Sequence, residues 1–276
     1  MALTTKPLVS IITPIHNGAE YLEELIQSVL RQDYSDIEHL IIDDGSQDDE
    51  ATLAILRRYP HLRWWSRENR GQYATMNEGL LAANGEYVCF VSADDVVSQG
   101  AVSAVMDFLG ERPHYDGVFG ITTRIDLRGE SFPYYIPFRT AAMTFYPYFA
   151  HISHCSLYLK KASLQKHGLY FDPSLKYVGD YEWMIRIHKC HLKIGLLQQE
   201  LSKVRIHDDQ ASRKYARGSI LEAQQVISAH RINKLTYGFF STLYRLMVAL
   251  WSLSQAFKRD GLAVMVRRRI RKFQSR

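Results

Sequence analysis

Two runs of core-type residues in this 276-residue chain each end in a pair of carboxylates. The run 37-IEHLII-42 leads into Asp43, Asp44 and the turn Gly45-Ser46, and 86-EYVCFVS-92 leads through Ala93 into Asp94 and Asp95. Runs rich in β-branched and aromatic residues, without polar alternation, mark strands covered on both faces, as in a parallel sheet. Adjacent carboxylates at such an end repel one another unless something positive lies close. One reading is turn and cap chemistry, with D-G-S as a tight turn and Asp95 or Ser98 capping the helix that follows. The other is a crevice at the carboxyl edge of the sheet that takes a divalent metal or a hydroxyl-rich ligand. Two acidic ends on neighbouring parallel strands favour the crevice, because their carboxylates converge. Two further stretches could contribute. In 177-YVGDYEWMIRIH-188, Asp180 opens a helical pattern as N-cap or as a reactive acid, with Glu182 and Arg186 spaced i to i+4. In 203-KVRIHDDQAS-212, Arg205 and His207 share one side of a strand.

The elements that would position these residues alternate regularly. Apolar runs at 8–13, 37–42, 62–66 and 86–92 are separated by helical patterns at 19–32, 48–59 and 71–85. Strand, helix, strand at this spacing means right-handed crossovers, and hence an α/β fold with a mostly parallel sheet flanked by helices. Asn17-Gly18 precedes the first helix, Ser46 and Asp48 the second, and Gly85 closes the third. A helix is also predicted at 98–110. Beyond about residue 115 the pattern changes. Strands are predicted at 117–125, 152–159, 194–198 and 203–207, and helices near 160–168 and 180–191. The aromatic and proline-rich 132-FPYYIPFRTAAMTFYPYF-149 reads either as core filling or as a lid whose rings stack on sugars. From about 212 the chain reads as helical, with a break at Asp260-Gly261.

Composition narrows the classes. With 46% hydrophobic and 12% aromatic residues the chain can bury a full core. Three scattered cysteines, without C-x-x-C spacing, speak against structural zinc and a disulfide framework, and fit a reducing compartment. The short apolar run after MALTTKP stops at Pro14 and reads as a first strand rather than a signal peptide. The net charge of +5 is concentrated at the end, where residues 258–276 carry eight Lys and Arg against Asp260 alone. The remainder is slightly acidic, which argues against a nucleic-acid partner.

The blocks 9-VSIITPIHNGAEYLEELIQSVLRQ-32, 41-IIDDGSQD-48, 69-NRGQYATMNEGLLAANGEYVCFVSADD-95 and 180-DYEWMIR-186 resemble, in order and spacing, the family 2 glycosyltransferases of the GT-A (Rossmann-like) fold. The resemblance runs from about Leu8 to Ser212. It implies an inverting transfer of a sugar from a nucleotide diphosphate donor, usually a UDP-sugar, with Mn²⁺ or Mg²⁺, onto a hydroxyl of a glycan or lipid-linked acceptor. It implies that Thr13, Pro14, Ile15 and His16 wrap the base, and that Asp43 contacts base or ribose with Asp44, Asn69, Arg70 and Gly71 nearby. Asp94 would bind the metal, His207 would complete its shell, and Asp180 would be the general base. Asp95, His154, Glu182 and Arg205 would lie on the acceptor or phosphate side. The family's D-x-D is here Ser92-Ala93-Asp94, which replaces the ribose-contacting acid by a hydroxyl.

On this reading residues 1–212 form the glycosyltransferase domain, and 213–276 form a helical, basic, amphipathic tail. Residues 238–257 carry one charge, Arg245, and are long enough to span a bilayer on length alone. Their polar residues gather on one face, which suits a helix lying in the interface or packed on a second subunit in a homodimer. The expected setting is the cytoplasmic, anionic face of a membrane, in polysaccharide or lipopolysaccharide biosynthesis. Two alternatives stand beside it: a nucleotide-sugar-binding protein without catalysis, suggested by Ser92 and Gly179, and a basic nucleic-acid-binding module suggested by the arginine-rich end.

Overall fold

The computed structural model describes residues 6–132, 152–208, 210, 214–243, 246–247 and 249–250. Most of the aromatic stretch 132–149 and the basic segment 258–276 lie outside the described residues. The first half builds four parallel strands, β1 (Val9–Ile15), β2 (Ile37–Asp43), β3 (Arg63–Ser66) and β4 (Tyr87–Phe90). Between them run the crossover helices α1 (Ala19–Leu30), α2 (Ala51–Arg57) and α3 (Gln72–Ala82). Then follow β5 (Val96–Val97), α4 (Ala101–Glu111), β6 (Gly117–Ile125) and β7 (Ser131–Phe132). A 3₁₀ turn at His154–Ser156 leads into β8 (Leu157–Lys160), α5 (Lys161–Lys166), α6 (Gly179–Lys189), β9 (Ile194–Arg205) and α7 (Ala216–Ala229).

The strands form one sheet in the order β3-β2-β1-β4-β8-β6-β9-β5, with β7 on β6. It is more mixed than the sequence suggests. β8 enters from the 3₁₀ turn rather than from a crossover helix, and runs antiparallel to both β4 and β6. The two strands expected at 194–198 and 203–207 are one continuous β9, whose exposed middle breaks the apolar pattern while its pairing with β6 continues across a register shift. Neither Asp95 nor Ser98 caps α4: the N-cap is Gly100, and Ser98 donates to Glu200 instead.

The central strands are buried on both faces. Ile12, Leu40 and Phe90 pack with Met76 and Leu80 of α3, whereas Val9, Ile11 and Cys89 pack with Leu25 of α1 and Val102 of α4. This accounts for the absence of alternation in the sequence. Trp183 anchors α6 by stacking on Phe171, with centroids 4.4 Å apart, and meeting Phe90 edge-on. Val226 and Ile227 join α7 to the same core cluster.

Candidate functional site

The carboxyl ends of β1, β2 and β4 open into a cleft of about 1170 Å³, walled on its far side by the start of α6. Pro14, Ile15, His16, Asp44, Asn69 and Gly71 line one end. Ser92, Ala93, Asp94, Asp95 and His207 form the floor, and His154 and Asp180 face them. Thr13, Asp43, Arg70, Glu182 and Arg205, also singled out from the sequence, do not line it.

The first acidic pair divides its labour. Asp43 is fully buried and accepts from Ser46 N–H at 3.2 Å, Ser46 Oγ at 2.5 Å and Ser66 Oγ at 2.5 Å. Its carboxylate holds the turn and is not presented to a base or ribose. Asp44 faces the cleft and accepts from the backbone N–H groups of Arg70 (2.7 Å) and Gly71 (2.9 Å) and from the Arg67 guanidinium. It thereby fixes the 69–71 turn at the start of α3. Arg70 takes part through its backbone, and Thr13 is buried against His39 at 3.2 Å.

The second pair divides in the opposite order. The Asp94 carboxylate stands 2.9 Å from His207 Nε2, and the His207 ring rests on Tyr21. Arg205 is 1% exposed. Its guanidinium donates to Glu24 at 2.5 Å, to the Asp94 carbonyl at 3.1 Å and to the Asp126 carbonyl at 3.0 Å. Arg205 therefore holds the backbone beneath Asp94 and does not reach a phosphate in the cleft. Asp95 is buried, accepting from the Cys155 thiol at 2.8 Å and Arg205 N–H at 3.1 Å. Burial first, then Cys155 and the neighbouring Asp94, pushes its carboxyl well above the usual range.

Asp94 and His207 bring a carboxylate oxygen and an imidazole nitrogen, both donors that a divalent cation can take, within 2.9 Å of each other. No cluster of three or more metal-type side chains occurs among the described residues. Asp94 and His207 are the residues that would hold a divalent cation in this cleft.

Across the cleft, His154 lies between the two ends of the site. Its Nε2 is 3.3 Å from Ser92 Oγ, and its Nδ1 is 3.6 Å from Asp180 Oδ2. Burial opposes an imidazolium there, but Cys155 and Asp180 raise its pKa well above 6.5. Asp180 is not the cap of α6. Val178 occupies that position, and Asp180 sits in the first turn, accepting Tyr181 N–H at 2.8 Å with its side chain 39% exposed. Burial would raise its carboxyl, but His154 and the Tyr181 amide hold it below the ordinary value. Gly179 is required by packing, since a Cβ there would meet the Tyr73 ring at 2.6 Å. Glu182 is turned away, bound by Arg186 Nε at 2.8 Å and His230 Nε2 at 2.9 Å. The sequence reading missed Tyr73, Lys176, Tyr177 and Tyr215 in the lining. For Tyr177 a signal existed in its place three residues before Asp180.

Residues 10–165 match the sequence model of the family described as Glycosyl transferase family 2, a span that ends before Asp180. The uncharacterized glycosyltransferase RC0461 of Rickettsia conorii is 30% identical over 75% of this chain, and the chain spans only 35% of that protein's length. Among solved structures, S. aureus TarS 1-349 in complex with UDP-GlcNAc superposes with a TM-score of 0.66 at 19% identity, over 91% of this chain and 73% of that one. The mannosyltransferase PcManGT from Pyrobaculum calidifontis, in complex with GDP-Man and Mn²⁺, gives 0.64 at 18% identity, over 99% and 81%. At these identities the two structures speak to the fold, and both have the GT-A arrangement of a mixed sheet between helices.

Proposed function

The chain belongs to the family 2 glycosyltransferases, and on that premise we propose that it is an inverting enzyme moving a sugar from a UDP-linked donor to a hydroxyl of a glycan or lipid-linked acceptor. The observation that carries this reading is the opposition, across one cleft, of the Asp94–His207 pair and the first-turn carboxylate of Asp180. A single in-line displacement, which inverts the anomeric carbon, needs its leaving group and its base on opposite sides. Pro14, Ile15, His16, Asn69 and the turn held by Asp44 form the wall for the nucleoside. Asp94 and His207 would hold Mn²⁺ or Mg²⁺, which neutralises the charge developing on the leaving diphosphate. Asp180 takes the proton of the acceptor hydroxyl. His154 holds Asp180 in its charged form and reaches Ser92, the hydroxyl in place of the family's first acid. The donor complexes of TarS and PcManGT support a nucleotide-sugar in this cleft.

The test is a panel of UDP-, GDP- and dTDP-sugars with Mn²⁺, reading binding by calorimetry and turnover by nucleotide release. UDP-sugars are expected to bind and to be consumed. Binding of a donor with no turnover against any hydroxyl acceptor would favour the non-catalytic alternative, and binding of none would sink the reading.

We further propose attachment to the anionic cytoplasmic face of a membrane. No described helix is long and apolar enough to cross a bilayer. Leu235, Phe239, Leu246 and Leu250, at helical spacing, are 55–86% exposed. The basic residues of 258–276 follow, each contributing about 1 kcal/mol near anionic lipid. A chain ending at Lys258 is expected to keep donor affinity but lose the salt-sensitive co-sedimentation with anionic liposomes that the full chain shows. Equal sedimentation of both would sink this, and a dimer-to-monomer change on truncation would point to a homodimer instead.

A further inference from the structure

Three consecutive backbone N–H groups, those of Lys176, Tyr177 and Val178, donate to one carboxylate, Glu222 of α7, at 2.8, 2.7 and 2.9 Å. These amides lead into α6, whose N-cap is Val178 and which has no side-chain cap hydrogen bond from that residue. A helix start leaves its first amides unpartnered and carries partial positive charge; Glu222 takes the amide of the N-cap, Val178, and those of the two residues that approach it, where that charge also favours a carboxylate. Here it comes from a helix 44 residues on. The same helix grips this region at further points. The Tyr177 and Tyr215 rings lie 5.4 Å apart, and both line the cleft with Asp180. A Cβ on Gly218 would meet the Tyr177 ring at 2.8 Å, so the helix approaches the loop as closely as a glycine permits. At the far end of α7, His230 bonds Glu182 of α6.

We infer that Glu222 is a positioning residue for sugar transfer. By fixing 176–178 it sets the first turn of α6, and with it the Asp180 carboxylate, against the donor end of the cleft. The segment that follows β9 is thus part of the acceptor wall. The inference rests on the reading of Asp180 as the base. Glu222 lies beyond residue 165, where the match to the family ends.

Glu222→Gln keeps one acceptor oxygen and turns an NH₂ toward donating amides, so it cannot hold all three. In the full chain, hydrogen exchange at 176–178 is expected to quicken. The kcat for the donor that turns over in the panel is expected to fall by about tenfold or more, since small misplacements of reacting groups are costly. UDP affinity should stay within about twofold, a loss confined to turnover. Gly218→Ala drives a Cβ into the Tyr177 ring and so perturbs the same loop from the other side. It should lower kcat by more than Ile227→Ala does at an equal loss of Tm. Ile227→Ala, which loosens the α7 core contact but leaves the carboxylate in place, should lower Tm with a smaller effect on kcat. Unchanged kcat in Glu222→Gln despite fast exchange, protected amides in that variant, or kcat falling only in step with Tm across the three would each overturn the role of Glu222. No turnover by the unaltered chain would instead bring down the reading of Asp180, and this inference with it.

Discussion

Asp180→Asn is expected to cut turnover by about 10²- to 10⁴-fold, the usual share of a general base, with UDP affinity almost unchanged. Asparagine is isosteric and keeps an oxygen for the Tyr181 N–H, and the Trp183 anchor of α6 lies apart from the substitution. The affected quantity is therefore the capacity to take a proton. The pH profile supplies a second reading. Because His154 and the Tyr181 amide hold the Asp180 carboxyl below its ordinary value against burial, the base is ionised throughout the neutral range. Activity should be lost only as pH falls through that depressed value, so the acid limb should lie well below neutrality, and Asp180→Asn should remove it. Turnover near wild type in Asp180→Asn, together with its loss in Glu182→Gln, would transfer the role to Glu182. The geometry disfavours that outcome, because Glu182 is 8% exposed and bound by Arg186 and His230.

The crevice was legible in the sequence because it depends on local pattern. Unalternating strands, their acidic ends and the spacing of the crossovers are all short-range features, and they place Asp44 and Asp94 at one cleft; Asp180, which also lines it, was singled out through the family resemblance. That Asp43 rather than Asp44 is turned inward, and that the Asp95 carboxylate is tied up by partners, was not legible. Strand parity separates neighbours, but the direction each faces depends on partners distant in sequence. Asp43 is directed inward by Ser66 of β3, its register partner in the sheet, and Asp95 by Cys155, 60 residues away. Arg205 shows the same limit. Its place on a strand was readable, but β9 ends at Arg205 and His207 lies past it; the partners of Arg205, Glu24 and the Asp126 carbonyl, come from other elements, and they convert a candidate phosphate ligand into a buried support.

The packing of the segment after residue 212 was not legible for a related reason. Helical composition after residue 212 carries no mark of where a helix packs. The burial of Val226 and Ile227 and the bonds of Glu222 tie α7 to the α/β layer. Ile220 and Leu221 of α7 are exposed, and beyond the helix so are Leu235, Phe239, Leu246 and Leu250. The boundary that matters for function is therefore expected after α7 rather than before it. This is why truncation at Lys258, and not at 212, is the informative cut for membrane attachment.

Asp94→Asn should abolish the Mn²⁺-dependent part of donor affinity while leaving the fold intact. An amide is a poor ligand for a hard divalent cation. Loss of an outer-shell partner alone typically costs about 10- to 100-fold in metal affinity, so loss of a direct ligand should cost at least about 100-fold. The fold should survive because the Asp94 side chain is 26% exposed and meets only His207 among the contacts described for it. The bond that stabilises this corner, from Arg205, goes to the Asp94 carbonyl, which the substitution keeps. Calorimetry of UDP with and without Mn²⁺ separates the cases. The unaltered chain should show a large difference between the two titrations, and Asp94→Asn should give the metal-free value in both at an unchanged Tm. Asp95→Asn is the contrasting control: that side chain is buried and partnered by Cys155 and the Arg205 amide, so its replacement should act on Tm before it acts on metal. If Mn²⁺ still tightens UDP binding to the Asp94→Asn chain, the ion is held elsewhere, and the short Asp94–His207 contact is an internal hydrogen bond and no more.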